Sequence, residues 1–186
     1  MKKLAGVLCL AVILSGCGSE TNELDKGMAL RSKVLSAGSV SFDVQITADY
    51  GDKLHNFAIA CCGDPLGDLT FSVTEPETIA GITGKIDDNG GALTFDDTAL
   101  HFDLMADEQL SPVSAPWILL KTLREGYLTS ACTEEGKIRL SVDDSYEEDA
   151  MTLDIWLDGN NLPERAEILH AGRKILSLKV TNFVLS

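Results

Sequence analysis

From Val40 the polarity of the chain alternates residue by residue. Phe42, Val44, Ile46, Ala48 and Tyr50 are apolar, and Ser41, Asp43, Gln45, Thr47 and Asp49 between them are polar. A period of two puts one set on each face of a strand, so this stretch predicts a half-buried strand over 40–50. The pattern returns down the chain and predicts further strands near 54–62, 68–74, 78–87, 91–96 and 99–105. Turn-forming segments such as YGDK (50–53), DDNGG (87–91) and FDDT (95–98) part them. Five more strands are expected near 127–133, 136–143, 150–158, 164–171 and 173–184. Two segments break the period of two. Over Glu23–Ala37, Leu24, Met28, Val34 and Leu35 recur at roughly helical spacing up to Gly38. Over Ser114–Glu125, Pro116 suits a first turn, WILL (117–120) supplies an apolar face, and Gly126 stands where a helix stops.

About eleven meandering strands cannot form a flat sheet, because strand twist curls it and its apolar face must then be covered. Two helices are too few to form a second layer. They are expected to plug an incomplete barrel, which makes the fold α+β: a strongly curved antiparallel sheet with two helices. No repeat and no long linker divides the chain, so 23–186 is read as one domain.

Before that domain the pattern is of a different kind. Lys2 and Lys3 precede an apolar run from Leu4 to Leu14, which is a signal-peptide arrangement and is shorter than the ~20 apolar residues a membrane-spanning helix needs. The next residues, Leu14-Ser15-Gly16-Cys17, resemble the bacterial lipobox. That resemblance implies removal of residues 1–16, a diacylglyceryl group on the Cys17 thiol, and residues 17–22 as a lipidated tether on the outer side of the cell membrane. Two or more acyl chains hold a protein on a bilayer stably, at ~0.8 kcal/mol per buried methylene. An ordinary secretory peptide cleaved near Gly16 is the alternative.

Loss of the leader leaves 13 Lys and Arg against 29 Asp and Glu, a formal charge of −16. With no basic stripe, nucleic acid is excluded as a partner. The same charge argues against adsorption to anionic headgroups, so membrane attachment is expected through the anchor alone.

The order of elements, together with TEPETIAGI (74–82), SAPWILLKTL (114–123), LDGNNLPERAEIL (157–169) and GRKILSLKVTNFVL (172–185), resembles the LolA/LolB-like fold of bacterial lipoprotein carriers and acceptors. The resemblance spans the whole mature chain. It implies a half-barrel whose concave face binds a lipid or acyl group, and it also includes lipid-anchored regulators that hold a protein partner. The carriers place an arginine in the lumen from an early strand, whereas here no arginine lies between Arg31 and Arg124. Read for itself, DGNNLP (158–163) is a hairpin turn built from residues that tolerate positive φ.

Catalysis finds little support. His55, His101 and His170 are scattered over different strands, and no nucleophile elbow, zinc-type histidine pair or phosphate loop is present. The acidic runs DDNGG and DDSYEED (143–149) lack EF-hand spacing, so neither metal nor cofactor is expected. Inward parity and the second helix instead nominate an apolar lining of Phe42, Val44, Phe57, Ile59, Phe71, Phe102, Trp117 and Leu120. Those residues either bound a cavity or pack on one another. Trp156, between Asp154 and Asp158, has the outward parity of a partner surface or of a ring covered by a loop. Of three thiols left in an exported chain, Cys61 shares the inward parity of Phe57 and Ile59. A Cys61–Cys132 disulfide is therefore expected, with Cys62 left over, the alternative being three free thiols.

Overall fold

The computed structural model of the protein describes residues 20–51, 53–95, 98–103, 105–106, 109–147 and 150–186. The expected signal peptide, residues 1–16, and Cys17 lie outside these residues. Helix α1 spans Glu20–Ser36, starting three residues earlier than its apolar spacing indicates, so residues 20–22 of the expected tether are helical. No helix among the described residues is long and apolar enough to cross a membrane.

Strands β1 (Val40–Asp49), β2 (Leu54–Gly63), β3 (Leu69–Glu75), β4 (Thr83–Asp87), β5 (Gly90–Phe95) and β6 (Thr98–Phe102) follow as a meander. A two-residue pair, β7 (Met105–Ala106) with β8 (Gln109–Leu110), leads through a 3₁₀ turn at Pro112–Ser114 into α2 (Ala115–Glu125). The second meander is β9 (Tyr127–Glu134), β10 (Lys137–Asp143), β11 (Met151–Leu157), β12 (Pro163–His170) and β13 (Arg173–Leu185). Pairing of β1 with β13 joins the two meanders into one antiparallel sheet of eleven strands, in the order β6-β5-β4-β3-β2-β1-β13-β12-β11-β10-β9. The sheet does not close, and β6 and β9 are its edges.

The alternation at β1 translates directly into burial. Val40, Phe42, Val44, Ile46 and Ala48 are buried, and the residues between Val40 and Ile46 are exposed. Two hairpins follow type I′ logic, in which positive φ at both central residues matches strand twist: Glu135 and Gly136 join β9 to β10 at φ 52° and 79°, and Ala171 and Gly172 join β12 to β13 at φ 50° and 73°. Between β11 and β12 the Asp158 carboxylate accepts the N–H groups of Asn160 and Leu162, and Asn161 takes φ 59°. That is the turn expected of DGNNLP.

Two segments depart from the sequence pattern. Residues 78–82 are a turn and not the start of β4: the Gly81 N–H bonds to the Val73 carbonyl, and Gly81 takes φ 87°. The β7–β8 pair is too short to show any period.

Helix α2 is apolar nearly all round, as a plug must be, and buries Trp117, Ile118, Leu119, Leu120 and Leu123. Helix α1 packs on β9 and α2. Its Gly27 lets the helix backbone approach Leu128 and Leu140, where a Cβ would stand 3.0 Å from a Leu140 methyl. Arg31 ties the helices together, donating from Nε to the Leu123 carbonyl at 2.9 Å and from Nη2 to that of Gly126. It thereby satisfies carbonyls that α2 leaves open at its C-terminus.

Candidate binding surfaces

The register lays out the concave face as rows. Phe42 faces Cys61, Cys61 faces Phe71, Phe71 faces Gly84, Gly84 faces Leu93 and Leu93 faces Leu100. Exposure climbs along this row, from 2% at Phe42 and 3% at Phe71 to 61% at Leu100 on the free edge. A parallel row runs Leu69, Ile86, Gly91, Phe102. Phe95 has the same inward parity as Leu93 and is 58% exposed.

The eight residues nominated as a lining therefore divide. Phe42, Val44, Ile59, Phe71, Trp117 and Leu120 expose 3% or less and belong to one continuous core. Side chains covered so fully touch each other and leave no water-sized space between them. Phe57 and Phe102 are half-buried and pack against that core from its margin. The concave face is thus filled under the helices and open at the β5–β6 rim. Parity identified which residues face inward, but it held no information on how far the helices reach across the sheet.

The rim owes its shape to two glycines. A Cβ on Gly84 would meet the Phe71 ring, with Cζ at 2.5 Å, and one on Gly91 would meet the Phe102 ring. Each phenyl covers a bare stretch of neighbouring backbone, the way an aromatic residue covers a glycine across a sheet.

The three described cysteines are free, and the expected Cys61–Cys132 bridge does not form. Cys61 is on the concave row, whereas Cys132 faces Arg139 on the convex one. A register shift in β9 near Thr129 sets this parity: Leu128 and Ala131, three apart, both turn inward, and Cys132 turns out. Burial drives the Cys61 thiol pKa well above its ordinary value, with further contributions from Cys62 and Asp43. It is an inert core thiol.

Trp156 keeps its outward parity yet is only 5% exposed. The Arg165 guanidinium stacks 3.6 Å from its ring centroid, and its Nε1 donates to Glu134 at 3.1 Å. It is a covered ring, not a bare partner surface. His55, His101 and the terminal His170 sit on β2, β6 and β12, none of which neighbours another. No cluster of three metal-ligating side chains occurs among the described residues.

A helix, six meandering strands, a plugging helix and five strands returning to pair with the first make one unclosed sheet. The architecture is an unclosed antiparallel half-barrel plugged by two helices, as the sequence pattern predicts. No protein-family model matches the chain, and no curated protein matches it in sequence. Among solved structures it is similar to a LolA superfamily protein from Nitrosomonas europaea, with TM-score 0.48 and 10% identity over 91% of this chain and 94% of that one. It is also similar to the lipoprotein LppX of Mycobacterium tuberculosis, with TM-score 0.40 and 14% identity over 87% and 93%. A third is the MucA/MucB complex of Pseudomonas aeruginosa, with TM-score 0.40 and 14% identity over 89% of this chain and 57% of the matched one.

Proposed function

We propose that this LolA-like chain is an extracytoplasmic lipoprotein, anchored through acylated Cys17, that binds a protein partner at the β5–β6 rim and carries out no catalysis. The observation behind the reading is the row from Phe42 to Leu100, packed solid at its centre and apolar but exposed where it reaches an unpaired strand edge. An edge strand offers main-chain hydrogen bonds to an extended segment, and alternate side chains of that segment would fall beside Leu100 and Phe102 of β6. A filled core leaves a deep lumen to be opened at a cost before any acyl chain can enter.

A second reading, in which the concave face takes a lipid or acyl group, is favoured by one detail. Beside Gly84 and Gly91 the face is covered by the rings of Phe71 and Phe102, with the Ala92 carbonyl also close to Gly84, so rotation of the two rings would open the face to a chain. Titration of a fluorescent fatty acid into the full-length protein separates the two. The protein-partner reading expects no saturable signal. Saturable binding by the folded wild-type protein would transfer the function to the lipid reading.

A further inference from the structure

On the convex face, register brings together residues that the sequence keeps apart. Arg139, Trp156, Arg165, Lys179 and Gln45 stand directly opposite one another on β10, β11, β12, β13 and β1. Arg165 and Lys179 are therefore like charges facing across neighbouring strands, an arrangement that works against sheet stability. The chain has 29 acidic residues with which to neutralise 15 basic ones. Neighbouring cations are neutralised, Arg139 by Glu134 at 3.4 Å, Lys174 by Glu167 at 3.2 Å and Lys137 by Glu164. Among the described residues Arg165 and Lys179 form no ion pair, and both are exposed.

Arg165 is nonetheless held in place. Its guanidinium face lies on the Trp156 ring, which is itself fixed by the bond to Glu134. Stacking uses the face of the guanidinium and leaves its in-plane N–H donors for a ligand, the geometry that suits bidentate contact with phosphate. The two cations border a groove of about 640 Å³ whose other polar lining includes Gln45, Thr47, Ser177 and Thr181, with Lys137, Glu135 and Glu164 at its β9–β10 end.

The start of the chain comes to the same β9–β10 end of the sheet, on its concave side. Glu23, in the first turn of α1, accepts a hydrogen bond from Thr133 at 3.0 Å, two residues before Glu135. Cys17 precedes the first helical residue, Glu20, by three positions, a reach of at most ~11 Å. We propose that the groove holds the phosphate of an anionic phospholipid headgroup in the membrane that carries the anchor, with Arg165 and Lys179 as its ligands. This inference rests on the acylation of Cys17. The net charge of −16 works against general adsorption, but salt screens exposed charges beyond ~8–10 Å; of the two acids that line the groove, Glu164 is paired with Lys137, and Glu135 stands at the β9–β10 end away from the two cations.

The test uses the mature acylated protein reconstituted into phosphatidylcholine vesicles with and without phosphatidylglycerol. Flotation is measured first, and then the rate at which an amine-acylating reagent modifies Lys179, with Lys85 on β4 as the reference. Lys179 is expected to react several-fold more slowly in the anionic vesicles, and the protection should vanish in Arg165→Gln and at high salt. Equal rates in both vesicles would overturn the proposal. Inorganic phosphate protecting Lys179 equally well in neutral vesicles would overturn the headgroup assignment in favour of a free anion. A chain that floats with neither vesicle overturns the anchor, and the headgroup assignment with it.

Discussion

The ring of Phe71 lies against Gly84, its cross-strand partner on β4, so closely that a methyl group there would stand 2.5 Å from Cζ and 2.6 Å from the Ala92 carbonyl oxygen. The ring can turn aside, but the carbonyl belongs to the sheet. Gly84→Ala should therefore cost about 1–3 kcal/mol, typical of an overpacked core. Urea unfolding should show a lowered midpoint at unchanged slope.

The cysteines should differ sharply in reactivity. Cys62 is exposed, its Sγ 3.3 Å from Thr70 Oγ1, and Cys61 is buried with a raised pKa. At pH 9 iodoacetamide should label Cys62 within minutes and leave Cys61 unlabelled until unfolding, and peptide mapping without reductant should find no Cys61–Cys132 bridge. The sign of the linkage is fixed. The folded state keeps a thiol proton that the unfolded chain loses near pH 8.5, so this contribution to stability is complete below that pH and declines as the pH rises through the folded pKa. Cys61→Ala should flatten the alkaline limb of the stability profile.

Strand positions were legible because alternation at β1 or β11 reports a single buried face, and α2 because WILL cannot sit on a surface. What alternation cannot carry is anything that interrupts it. The irregularity near Thr129 reversed the face of Cys132, and the turn at Gly81 consumed residues that read as β4. Trp156 shows a different limit: its parity was correct, but its cover comes from Arg165, nine residues away in sequence and adjacent only in register. The choice between a cavity and a filled core stayed open for the same reason, since Trp117 and Leu120 arrive from a helix whose placement no strand pattern encodes.

Glu23 supplies a third prediction. It is 8% exposed, its Oε1 accepts from Thr133, and its Oε2 has no partner among the described residues. Thr133→Val should cost about 1–3 kcal/mol by leaving a buried carboxylate without its donor. Adding Glu23→Leu should recover most of that loss. Thermal unfolding of the two single variants and the double variant closes the cycle.

Leu153 and Leu100 bracket the concave face, at 0% and 61% exposure. Leu153→Ala should cost about 2–5 kcal/mol as a cavity in a close-packed core. Leu100→Asp should shift stability by no more than ~0.5 kcal/mol, as surface changes do. A large loss in Leu100→Asp would mean that the rim is part of the core.

Binding at that rim is tested most directly by site-specific photo-crosslinking in the cell, comparing a photoreactive residue at position 100 with one at Leu54, which is equally exposed at 66% but distant on β2. The rim position should yield one discrete protein adduct and Leu54 none. Once identified by mass spectrometry and purified, that partner should bind the full-length protein saturably and lose at least tenfold in affinity to Leu100→Asp. Adducts of equal pattern from both positions, or a partner indifferent to Leu100→Asp, would contradict the assignment of the β5–β6 rim as the functional surface.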